Sequence, residues 1–485
     1  MSKKTKTHTD HKGHTESTID EVNTISLIHE WENMLHNPLS YKERVSLGKK
    51  MREHKPRNEH AHWKAVRERE EPLALLARQD ASRVQSMIPL RYGRMMESPF
   101  AFFRGSAIVM ANDLSTIPRT DALVQLCGDC HLSNFGVFAT AERNVIFDLN
   151  DFDETLPGPF EWDLKRLAAS FVVAAKYNQF SASVGERCVR RIASIYRTKM
   201  AQFAEMNTLD VWYERVDFEH LVRHLKKPGR RQSAIEEVSR LKQKRSQAAS
   251  VLKLTEVVNG RRRIKDNPPL VFHPELATAE TTKTLLLSYM RSLWPSRQRL
   301  LERFHFVDVA LKVVGVGSVG TLGWAILLQG EGGDDDHIFL QMKEANPSVL
   351  EPFLGRSRFE YAGARIVNGQ RLLQAASDMF LGWTVSDDMN NYYVRQLRDV
   401  KASIPVEELD ATTFEQYAEV CARVLARGHA RTGDAAVITG YLGKGEAFDE
   451  ALTEFALSYA QQNAYDYETL ITAINKGKIH VAPGL

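Results

Sequence analysis

Four cysteines in 485 residues, Cys127, Cys130, Cys188 and Cys421, are too few to staple a secreted scaffold, and their scarcity points to a reducing compartment. Long apolar runs are missing as well. The longest, around Leu167–Ala175, falls far short of the roughly 20 residues needed to cross a bilayer. The opening stretch MSKKTKTHTDHKGHTEST has no apolar core, so no signal peptide is expected. Neither charge is in excess. The 64 basic and 61 acidic side chains leave a formal +3, too little to attract nucleic acid or a membrane surface by charge alone. No internal repeat is visible. The expectation is a cytoplasmic protein that engages neither membrane nor nucleic acid, with its oligomeric state unspecified.

Hydrophobic residues make up 43% of the chain and charged residues 26%, which is enough for a folded core. The length suits several domains or one large bilobed enzyme. Residues 1–20, polar and carrying His8, His11 and His14, read as a disordered tail. Residues 21–95 read as a charged helical extension. Residues 96–300 follow as a largely helical unit, and its part 183–300 reads as mostly helical. Ser233 and Glu236 form a capping box there, beside a basic cluster that includes Lys226, Arg231, Lys244 and Arg261–Arg263. Residues 301–400 switch to β texture, with 348–376 helical between strands. Residues 401–485 return to helix.

Chemistry concentrates first in GDCHLSNF, residues 128–135, where Asp129 precedes Asn134 by five positions in a loop after the apolar run VQL. Phosphoryl transfer uses such a pair. An Asp orients or deprotonates the attacking hydroxyl, and an Asn helps hold Mg²⁺. Alone the pair is ordinary turn chemistry. A second motif adds to it: Asp151-Phe152-Asp153 ends the strand-like NVIFDLN, so Asp151 and Asp153 can present carboxylates to a hard cation. The spacing from Asn134 to Asp151 suits a β-hairpin. In a third motif, GPFEWDLKRLA, Asp163 opens a buried helix. It can cap that helix, brace the loop of Asp129, or both.

The set GDCHLSN, DFD and GPFEWDL resembles the aminoglycoside-phosphotransferase branch of the protein-kinase-like superfamily. More closely, VQLCGDCHLSNFG, FDLNDFDETLPGPFEWDLKRLAAS and VVGVGSVGT resemble a bacterial family known only as a domain of unknown function, over most of the chain from about Arg94. The kinase-like resemblance implies ATP and Mg²⁺ as cofactors and a hydroxyl-bearing acceptor, small molecule or protein. It implies Asp129 as the catalytic base or orienting residue, Asn134 and Asp151 as Mg²⁺ ligands, and His131 as a brace for the loop. Cys130 stands where that loop usually has another apolar residue, a role a small buried thiol can fill.

The candidate nucleotide lobe comes late in the chain. Gly315, Gly317, Ser318 and Gly320 belong to a G-x-G-x-x-G between two strand-like runs. There, backbone amides can approach phosphates closely. A dinucleotide-binding fold needs a helix directly after such a loop. Here the β-rich TLGWAILLQG follows. Lys343, 23 residues beyond Gly320 in FLQMKEA, looks like the strand lysine of kinases, with Glu351 preferred over Glu360 as its ion-pair partner. The expected fold is therefore α+β, a bilobed kinase-like architecture in circularly permuted order.

Other readings compete. Cys127-Gly-Asp-Cys130 lacks the second ligand pair that zinc requires. Asp148, Asn150 and Asp153 fail as an EF-hand, because Phe152 occupies a ligand position and the central Gly is missing. Arg104 in FFRG, and His429 and Arg431 in LARGHARTGD, can serve phosphate or internal ion pairs equally. A nucleotide-binding pseudokinase would keep the glycine loop and Lys343 without turnover. A metal-dependent hydrolase would use Asp129, His131 and Asp151 around one cation.

Overall fold

The computed structural model describes residues 39–65, 68–223, 229, 231–232, 235–236, 251, 253–268, 270–273, 279–312, 319–333, 336–397 and 401–482. The tail expected at 1–20, the Ser233 cap and most of the basic cluster lie outside them. The chain is mixed α+β, with helices alongside several small antiparallel sheets. Its N-terminal part is helical, as the charge and apolar spacing predict: Tyr41–His54, Pro72–Asp80 and Ile88–Met95. Ser40 caps the first of these reciprocally with Glu43, supplying acceptors for otherwise orphaned N–H groups. Gly48 on this helix and Gly440 on the helix Ala435–Leu442 let the two backbones touch. A Cβ on Gly48 would lie 1.9 Å from the Val437 carbonyl oxygen.

The helical body centres on Phe160–Tyr177. Its apolar residues recur at helical spacing, but its other faces are covered as well, by the helices Ala182–Glu205 and Ala447–Asn475. Leu164, Leu167 and Phe171 have no exposed surface, and each such side chain contributes about 1.5–3 kcal/mol of transfer free energy. Against this body lie two small β units. Strand β1 (Leu123–Leu126) pairs with β4 (Leu156–Pro159), while β2 (Phe135–Ala139) and β3 (Val145–Leu149) form an antiparallel hairpin with Phe135 opposite Leu149. That hairpin is the one implied by the spacing of Asn134 and Asp151.

A six-stranded antiparallel sheet forms the second layer, in the order β11-β12-β10-β9-β8-β7. Its strands are β7 (Val271–Phe272), β8 (Phe304–Lys312), β9 (Gly323–Gly330), β10 (His337–Glu344), β11 (Gly382–Val385) and β12 (Asn391–Gln396). Strand β9 reads as an unbroken apolar run because both faces of the sheet are buried. Ile326 and Leu328 join one core with Tyr289 of the helix Ala279–Arg291 and with Leu293 just after it, whereas Ala325 and Leu327 join another with Ile264.

Two expectations need refinement. Within 183–300 the described residues are mostly helical, as the spacing predicts, but β5 (Thr255–Val258) and β6 (Arg261–Ile264) form a hairpin and β7 joins the large sheet. The signal was present: Asn259 and Gly260 both have positive φ, at 51° and 75°, the turn that Asn-Gly favours. Arg261–Arg263 thus lie on a strand. The span 348–376 is two helices, Glu351–Leu354 and Ala362–Leu373, separated where Gly355 takes φ 98°. Among the described residues, no helix is long and apolar enough to cross a membrane.

Candidate functional site

The loop after β1 turns at Gly128, whose φ is 87°. A Cβ there would lie 2.1 Å from the Glu154 carbonyl oxygen, so the position admits only glycine without a shift of backbone. Asp163, inside the first turn of Phe160–Tyr177, holds this loop by its backbone. Its Oδ2 accepts from Cys127 N–H at 2.7 Å and its Oδ1 from Gly128 N–H at 3.0 Å. His429 Nε2 lies 3.3 Å from the same Oδ2, and His429 Nδ1 is 2.8 Å from the Tyr196 hydroxyl. Of the two roles open to Asp163, the structure displays bracing. His429, left aside in the sequence, belongs to that brace.

With the backbone held, the Asp129 carboxylate points to a cleft of about 420 Å³ lined by Asp129, His131, Asn134, Asp151, Asp153 and Glu154 from the first half of the chain and by Thr321 and Glu344 from the second. Arg166 Nε donates to Asp129 Oδ1 at 2.5 Å. Burial pushes the Asp129 carboxyl above its usual range; Arg166 pulls it down, and the nearby Asp151 pushes it up again. Arg166 was missed in the sequence. Its signal was its place three residues after Asp163, one helical turn along the same face. Asn134 donates through Nδ2 to the Asp129 carbonyl at 2.6 Å, leaving Oδ1 as the atom a cation would take. Asn150 N–H bonds the Asn134 carbonyl at 2.9 Å, fixing the hairpin end that carries Asp151. Asp151 and Asn134 therefore offer hard oxygen donors to one cleft, a set that fits Mg²⁺.

His131 is buried, and burial, with the positive charges of Arg104 and Arg166, holds its pKa well below the usual imidazole value. A neutral ring at an edge contact with Phe100, centroids 6.4 Å apart, is a packing element of the loop. Cys127, Cys130 and Asp163 place ligand-type atoms within 4.8 Å of one another. Both Asp163 oxygens already accept backbone N–H groups, however, and burial raises both thiols, Cys130 to about 11, so they stay protonated.

The second half contributes Lys343 on β10, in register with Tyr393 of β12. Its ion-pair partner is not Glu351. Lys343 Nζ donates to Asp153 Oδ2, and the Tyr393 hydroxyl donates to Asp153 Oδ1 at 3.0 Å. The expected metal ligand Asp153 thus has both oxygens on protein donors. Burial raises its pKa, but Lys343 foremost, with Arg395 and Tyr393, brings the carboxyl below its usual range. Glu351 is drawn away by Arg365, whose Nε lies 3.8 Å from Glu351 Oε1. Arg365 occupies that space because its guanidinium also caps the carbonyls of Thr155, Asp153 and Asn346. Glu154 accepts from Val349 N–H at 2.7 Å, and burial raises its pKa to about 7 against the pull of Arg365.

Of the glycine-loop candidates, Gly315, Gly317 and Ser318 lie outside the described residues. Gly320 closes the loop with φ 89°, its carbonyl accepting Val84 N–H at 2.8 Å, while Arg83 Nη1 donates to the Val319 carbonyl at 2.6 Å. The next residue, Thr321, lines the cleft of Asp129 and Asp151. Asp148 and Arg427 form a buried pair at 2.7 Å, and Arg431 stacks over Trp212 at 4.0 Å, so both serve internal contacts.

Residues 83–473 match the family described as "Uncharacterized protein conserved in bacteria (DUF2252)", and the chain belongs to that family. No curated protein and no solved structure matches it.

Proposed function

We propose that this protein is a Mg²⁺-ATP-dependent phosphotransferase of kinase-like architecture in permuted order, acting on a hydroxyl of a small molecule or a protein. The observation that carries the reading is the shared cleft. Asp129, Asn134 and Asp151 meet there with the end of the glycine-rich β8–β9 connection and with Asp153, the partner of Lys343. The sequence of β8, glycine turn, β9, Lys-bearing β10, helix Ala362–Leu373, β11 and β12 supports a nucleotide lobe within 301–400. Residues 96–300 and 401–485 then form the other lobe. Asp129, oriented by Arg166, takes the acceptor hydroxyl, and Asn134 and Asp151 hold Mg²⁺, which supplies charge neutralisation of the phosphates. Lys343 serves the α and β phosphates. Its partner is a carboxylate from the first half of the chain, which makes the join between the halves part of the site.

Calorimetric titration of a non-hydrolysable ATP analogue, with and without Mg²⁺, tests this. Mg²⁺-dependent binding that weakens in Lys343→Ala is expected. Absence of binding at millimolar nucleotide by folded wild-type protein would refute the reading and favour the metal-hydrolase alternative.

A further inference from the structure

Arg104, next to last in the helix Pro99–Gly105, lines the cleft beside Asp129, His131 and Asp151. Neighbouring arginines have partners. Arg166 bonds Asp129, Arg91 bonds Asp80, and Arg83 bonds the Val319 carbonyl. Arg104 Nε, shielded from solvent, has no hydrogen-bond partner among the described residues; Arg83 Nε and Arg91 Nε are unbonded too, but those two arginines are held through their Nη atoms. Asp129, Glu407, Asp151 and Glu97 act on its charge only electrostatically, while burial opposes that charge. A partly buried guanidinium whose Nε is unbonded carries a desolvation cost, and its fork of donors matches the oxygens of a phosphoryl group.

We propose that Arg104 donates to the oxygens of the transferring phosphoryl group, a contact that rests on the phosphotransferase reading. Its position beside both the acceptor-orienting Asp129 and the metal-ligating Asp151 is where that group passes. In the transfer, the acceptor oxygen bonds the γ-phosphorus as the bond to the β–γ bridging oxygen of ADP breaks, and the hydroxyl proton goes to Asp129. Arg104 keeps all its protons and meets the charge that shifts onto the equatorial oxygens. The same chemistry could come instead from a phosphate on the acceptor, and the test separates these two sources.

Wild type, Arg104→Met and Arg104→Lys are titrated with Mg²⁺-ADP and with the Mg²⁺ complex of a β,γ-imido ATP analogue. Expected is a loss of about 10- to 100-fold in analogue affinity for Arg104→Met, with ADP affinity within about twofold of wild type. Arg104→Lys, which keeps the charge and loses the fork, falls between. The ligand-free variants melt close to the wild-type temperature, because the desolvation cost of the guanidinium offsets the pull of the nearby carboxylates. An unchanged preference for the analogue in both variants overturns the proposal and assigns Arg104 to the acceptor. A large drop in melting temperature for both overturns it too, by showing structural bonds. Wild type that binds neither nucleotide removes the phosphotransferase reading itself, a result distinct from either.

Discussion

Lys343 Nζ donates to Asp153 Oδ2 across 190 residues of sequence, joining strand β10 to the loop after β3. Both side chains are largely withdrawn from water, at 7% and 25% exposure, so removing Lys343 takes away the cation that chiefly holds the Asp153 carboxylate charged. Lys343→Met is expected to destabilise the protein by about 2–4 kcal/mol in urea unfolding. The double variant Lys343→Met/Asp153→Asn should recover about 1–2 kcal/mol relative to additivity. Additive losses would mean that the pair is not coupled.

Asp129→Asn keeps the shape of the loop, because Asp163 and not Asp129 holds the backbone. On the phosphotransferase reading it removes the proton acceptor, and it weakens the hold of Arg166. Turnover of Mg²⁺-ATP is expected to fall by at least about 100-fold, with nucleotide affinity retained by calorimetry. Wild-type turnover in this variant would remove Asp129 from the chemistry.

Glu154 gives a pH dependence with a definite sign. Its carboxyl titrates near 7 in the fold, against an ordinary value of 4.5. Between those values the folded chain holds more protons at this position than the unfolded chain, so stability is lost as pH rises through 7. Glu154→Gln, which keeps an oxygen for Val349 N–H, should melt close to wild type at pH 5 and above it at pH 8. Parallel melting curves across that range would show that burial does not hold the proton.

Gly128→Ala meets both a left-handed backbone and the Glu154 carbonyl at 2.1 Å. A loss of about 2–4 kcal/mol is expected, read as a shift of the urea midpoint at constant slope. A neutral substitution would mean that the loop can re-route.

What the sequence displays and what it hides divide along physical lines. The β2–β3 hairpin, the helix Phe160–Tyr177 and the strand of Lys343 are written in local periodicity and turn residues, and these are legible. The β5–β6 hairpin was legible too, through Asn259-Gly260, although the span around it reads as helical. Pairings over long distance left no local mark. Glu351 looked close enough in sequence to serve Lys343, yet Arg365 on the next helix claims it, and Asp153 reaches Lys343 from the loop after β3. The same holds for Arg166 on Asp129. An arginine in a helix signals a charge, and only the packing says which carboxylate it meets.

The contact between His429 and Asp163 spans 266 residues, and the helix that carries His429 ends at Thr432. During synthesis, the Asp129 loop and its first support leave the ribosome long before the second support exists. A nascent chain that stops before Ala411 has every acidic residue of the cleft but lacks the clamp that steadies the loop. Full support of the Asp129 loop is therefore tied to synthesis of the chain through Thr432.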